Sequence, residues 1–94
     1  MAGYFVANYT IKNQAEYLEY VAAVGPILAA HGCEGIVLDR DSGLLEGSAG
    51  QVTVVLRFAT KAAAAAWYES PEYQAIRHLR TDNTEGIAVI AEGN

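Results

Sequence analysis

The 94-residue chain contains only one cysteine and two prolines. Cys33 can form no internal disulfide, and no Cys or His stands at metal-ligand spacing beside it, so the sequence suits a reducing compartment and predicts no metal. Basic residues are also scarce: 6 Lys and Arg stand against 11 Asp and Glu, for a net charge of -5. The few cations are scattered, which argues against phosphate backbones and anionic membranes as partners. No apolar run approaches the length of a spanning helix. The opening MAGYFVANYT has no basic start, apolar stretch and small-residue cleavage site, so a cytoplasmic protein is expected. Glycine-rich phosphate loops, dinucleotide fingerprints and the nucleophile elbow are all missing, and no cofactor is expected.

What is present describes one globular domain over residues 1–94, with 52% hydrophobic residues and 18% charged. Tyr4 to Ile11 reads as a strand with Phe5, Ala7, Tyr9 and Ile11 on one face. Asn13 and Glu16 resemble a capping box, and Tyr17, Val21, Val24 and Leu28 follow as one helical stripe. Pro26 should break this helix, over roughly 14 to 31, into two pieces, and Gly32 should end it. Strands are expected at Glu34 to Arg40, Gln51 to Phe58 and Gly86 to Ala91, with a long connection from Asp41 to Gly50. Thr60 caps a helix through the alanines of 62–66. Ser70 and Pro71 then cap and open another that runs to about Arg80.

The order β-α-β-β-α-β predicts an α+β, ferredoxin-like fold: a four-stranded antiparallel sheet with helices on one face. The uncovered face, read as Val6, Val55, Ala88 and Ile90 among polar neighbours, should be covered by a second copy, giving a homodimer.

Glu46-Gly47, the run Trp67-Tyr68-Glu69-Ser70-Pro71-Glu72-Tyr73, Arg80 and the closing Glu92-Gly93 together resemble the family catalogued as domain of unknown function 1330, in the dimeric α/β-barrel superfamily. The likeness covers nearly the whole chain. Gly32-Cys33 and Arg57-Phe58 depart from the family's usual glycine pair and its carboxylate before the third-strand Phe. The resemblance implies the ferredoxin-like dimer, a dimeric α/β barrel, and supplies no reaction. Its wider superfamily includes cofactor-independent monooxygenases, isomerases and haem-handling enzymes.

Helical geometry puts Tyr73, Ile76, Arg77 and Arg80 on one side of the helix from Pro71, with Gln74 and His78 facing away. A guanidinium that faces a core needs a carboxylate or a ligand anion. An internal brace from Arg80 to Glu46 or another carboxylate is the expected arrangement, and a substrate anion the alternative; Glu46 reads equally as an exposed residue of its loop. His31, near a helix C-terminus, is the general acid/base candidate, set against a histidine that merely bonds a backbone carbonyl or water. Tyr9, Tyr17, Trp67, Tyr68 and Tyr73 read as core or interface aromatics, or as the walls of an aromatic cavity with Arg77 and Arg80 beside it. Ser70 reads as a cap. Two functions follow: a small-molecule site for an organic or aromatic acid, with or without cofactor-independent chemistry, or a non-catalytic binding, regulatory or structural dimer.

Overall fold

The computed structural model describes all of residues 1–94. Its elements are β1 (Gly3–Ile11), α1 (Gln14–Ala30), β2 (Glu34–Asp39), β3 (Val52–Phe58), α2 (Lys61–Tyr68), α3 (Pro71–Thr81) and β4 (Thr84–Glu92). The strands form one antiparallel sheet in the order β2-β3-β1-β4, the ferredoxin-like arrangement in which each crossover spans a strand. All helices lie on one face. The resulting shape is thin, 30 × 29 × 16 Å between Cα extremes, because the other face carries no layer. No helix is long and apolar enough to cross a membrane.

Local chemistry sets the helix boundaries. The Asn13 side chain accepts from the Glu16 backbone N–H at 3.2 Å. The expected reciprocal bond from Glu16 is replaced, since the Glu16 carboxylate accepts instead from the Asn83 amide at 3.0 Å. At the other end of α1, Cys33 N–H reaches the Leu28 carbonyl at 3.1 Å and Gly32 N–H the Ala29 carbonyl at 3.2 Å. This is a Schellman turn, which Gly32 permits with its φ of 68°. Ser70 joins α2 to α3: its hydroxyl donates to the Trp67 carbonyl at 2.7 Å and accepts from the Tyr73 N–H at 3.3 Å.

Two expectations are corrected here. Pro26 does not divide α1, which runs unbroken from Gln14 to Ala30. Gly25 precedes it and has no Cβ to meet the proline ring, and the carbonyl stranded by the missing N–H belongs to exposed Ala22, where water reaches it. The uncovered face of β4 carries Ile87 and Val89 in place of Ala88 and Ile90. Directly paired residues share a face, and Ala88 and Ile90 pair with the inward Ala7 and Phe5. Val37, Val55, Val6 and Val89 instead fall in register across all four strands of the open face.

The core lies between sheet and helices. Phe5, Ala7, Tyr9, Val52, Val54 and Phe58 from β1 and β3 meet Trp67, Tyr73 and the inward side of α1. β1 and β3 alternate as their sequences predict, with apolar residues on the inward face.

Candidate functional site

Between α1 and the sheet lies a cavity of about 350 Å³. Val21, Val24 and Leu28 of α1 face it from one side, and Val54 and Leu56 of β3 from the other. Exposed Leu38 and Arg40 stand at the β2 end, where the lining meets solvent. The buried polar side chains of the lining are Tyr9, Tyr17, Tyr20 and Arg80.

Arg80 is 6% exposed. Its only side-chain hydrogen bond runs from Nε to the Tyr73 hydroxyl at 3.4 Å, and no carboxylate pairs with it. The terminal guanidinium nitrogens have no protein acceptor, yet the only fully buried donor without one is Trp67 Nε1, so the Arg80 nitrogens open onto cavity space. The rings of Phe5 and Tyr9 lie 5.8 and 6.0 Å from the guanidinium carbon, at the outer limit of cation–π attraction. A guanidinium keeps its proton even when buried. The side chain is a cation at all physiological pH values.

The tyrosines are paired by hydroxyl: Tyr9 with Tyr17 at 2.6 Å, and Tyr20 with Tyr73 at 2.9 Å. Burial, helped by these bonds, pushes the Tyr9 and Tyr20 phenols well above their ordinary range, so neither supplies a phenolate to neutralise Arg80. Half-buried Cys33 also lines the cavity. Burial first, and then the neighbouring Glu34 charge, raise its thiol pKa, which disfavours the reactive thiolate. No carboxylate or imidazole belongs to the lining. The arrangement can hold an anion and donate hydrogen bonds to it.

Arg80 and Tyr9 also border a second cleft on the β4 side, about 300 Å³, with Thr81, Thr84 and Gly86 among its walls. Gly86 is required where it stands, opposite Tyr9: a Cβ there would lie 2.2 Å from the Asn8 carbonyl oxygen.

The structure gathers some of the expected residues and separates others. Tyr9, Tyr17 and Arg80 meet at the cavity, and Tyr73 backs them from the core. Trp67 lies behind the wall, fully buried against Phe58, Phe5 and Tyr73, and lines no cavity. Tyr68 is on the β4 side of the core, with the Arg77 guanidinium 4.8 Å over its ring. Glu46 is exposed in the connection between β2 and β3 and forms no ion pair, so the expected Arg80 to Glu46 brace does not exist. His31 caps α1 at the surface, where Nε2 lies 3.2 Å from a Glu72 carboxylate oxygen of α3, and its ring is not part of the cavity wall. Tyr20 is a further member of the site, buried and bonded to the Tyr73 hydroxyl. It lies three residues after Tyr17 and four before Val24, so the helical stripe already contained it. No cluster of three or more His, Cys, Asp or Glu is placed to hold a metal ion.

The family model described as "Domain of unknown function (DUF1330)" matches residues 2–94. No curated protein matches the chain. Among solved structures, a protein of unknown function from Rhodopseudomonas palustris superposes with a TM-score of 0.79 at 11% identity, over 99% of this chain and 82% of that one. A dimeric ferredoxin-like protein of unknown function from Thermobifida fusca gives 0.67 at 16% identity, over 99% and 92% of the two chains. A Dabb family protein with a ferredoxin-like fold from Mesorhizobium loti gives 0.68 at 16% identity, over 99% and 97%. These likenesses show the ferredoxin-like fold.

Proposed function

Since the chain belongs to the domain of unknown function 1330 family, whose description assigns no reaction, we propose from its own geometry that it is a small-molecule-binding dimer whose cavity takes an organic acid at Arg80. The observation that carries this reading is a buried guanidinium that lines an apolar cavity with no protein counter-ion and no acceptor for its terminal nitrogens. A buried charge without a partner is costly, and a ligand carboxylate in two-pronged contact with arginine would offset that cost. Tyr9 and Tyr20, kept protonated, stand close enough to shape the same anion-accepting end.

Binding without proton abstraction is the better supported form of this function. The lining offers no carboxylate or imidazole, and its Tyr9 and Tyr20 phenols and Cys33 thiol are shifted toward their protonated forms. His31, held by Glu72 outside the cavity wall, would have to move to take part.

The second copy belongs on the open sheet face. The four-valine row is flanked by Tyr4 and Arg57 on one side and by Thr53 and Asn8 on the other, and exposed Ile87, paired with Asn8, extends the apolar surface at the β4 edge. The Thermobifida fusca structure, of the same fold, is described as dimeric.

Thermal shift against a panel of carboxylic acids, with the matching amides as neutral controls, tests the ligand assignment. Acids should raise the midpoint of the native protein and amides should not. A panel in which no acid stabilises the fold would refute it.

A further inference from the structure

Arg80 lies where two spaces of opposite character meet. On one side is the cavity walled by Val21, Val24, Leu28 and Leu56; on the other is the β4-side cleft with Thr81 and Thr84 in its wall. Tyr9 shares the boundary. We infer that the ligand is a monocarboxylate with an extended apolar body, its head on Arg80 at this boundary and its body in the larger cavity. The inference rests on the proposed organic-acid site and specifies what that acid looks like.

Charge and polarity lead to this class. Arg80 is the only buried cation of the site, and the other lining cation, Arg40, is exposed at the far end among solvated residues. A single buried positive charge matches a single anionic head; a second carboxylate that falls short of exposed Arg40 would be driven into the valine and leucine walls, which offer no donor. The apolar walls reward burial of methylenes. The threonine-walled cleft lets the carboxylate keep part of its hydration, so the lone pairs its oxygens do not share with the guanidinium are not stranded. A phosphate ester, with more charge and more oxygens to satisfy, would exceed what one arginine and neutral phenols provide.

Calorimetric titration of the native protein with butyrate, hexanoate and octanoate, then with octanedioate and octanamide, tests the inference. Affinity should rise about fourfold per added methylene, the factor that burial of one CH2 carries. Octanedioate should bind at least tenfold more weakly than octanoate, and octanamide should lose binding. Leu28→Trp, which fills the cavity from a half-buried position, should abolish the gain with length while far-UV circular dichroism stays native. If the three monocarboxylates bind equally in an Arg80-dependent way, or octanedioate binds as well as octanoate, the apolar-body inference is overturned while the organic-acid site stands. If none of the acids binds, both fall.

Discussion

Arg80 donates from Nε to the Tyr73 hydroxyl at 3.4 Å, seven residues back along the same chain, and to nothing else. The two are nearly a double turn apart on α3, so one helical face delivers both to the interior. Tyr73 is buried to completion and paired with Tyr20, and it therefore fixes the guanidinium's near side while leaving the far side free. A structural arginine would be closed off by a carboxylate. This one faces space.

Trp67 should show the opposite behaviour, that of a core residue with no ligand role. Trp67→Ala would open a large void among Phe5, Phe58 and Tyr73 and should cost about 3–5 kcal/mol in urea unfolding. Trp67→Phe keeps most of the ring packing and removes the one buried donor without an acceptor, Nε1, so its cost should be less than half as large. Equal losses from the two variants would contradict this account of the core.

The His31–Glu72 contact ties α1 to α3 at the surface and should appear as an acid-side stability term. The His31 hydrogen bond holds the Glu72 carboxyl below its usual range. With the folded-state pKa depressed, the stabilisation is complete above the unfolded carboxylate pKa of about 4.3 and is lost as pH falls through the lower folded value. Urea midpoints of the native protein and Glu72→Gln should differ at neutral pH and converge in acid. Parallel pH profiles would show that the contact contributes nothing.

On the open face, Val55→Glu places a charge at the centre of the valine row, between Val6 and Val37. Light scattering should give twice the 10.0 kDa chain mass for the native protein and the chain mass for the variant, with the fold retained because Val55 points away from the core. A native monomer would remove the dimer from the proposal.

Much of this architecture was legible in local chemistry. Ser70-Pro71, Thr60 and Asn13 each cap the helix expected of them, and period-two alternation sorted β1 and β3 correctly onto two faces. The open face of β4 was misread because Gly86 to Ala91 is small or apolar throughout and has no alternation to read; only its register with Phe5 and Ala7 decides. The inward turn of Arg80 was visible from its spacing to Tyr73 and Ile76. Its missing partner was not, because Glu46 lies in a long connection whose path depends on Asn8, whose side chain bonds Gly50, Val52 and Thr53. The cavity was equally hidden: periodicity reports which side chains point inward and says nothing of the gap between them.

The central claim, that Arg80 is kept for a ligand rather than for the fold, is tested most directly by urea unfolding of the native protein and Arg80→Met, each with and without saturating octanoate. Without ligand the variant should be as stable as the native protein or up to about 2 kcal/mol more stable, since an apolar chain replaces an uncompensated buried charge. Octanoate at a hundredfold excess over its Kd should add about 2.7 kcal/mol to the native protein and nothing to the variant. A variant destabilised by about 3–5 kcal/mol without ligand, or stabilised by octanoate as much as the native protein, would contradict the claim.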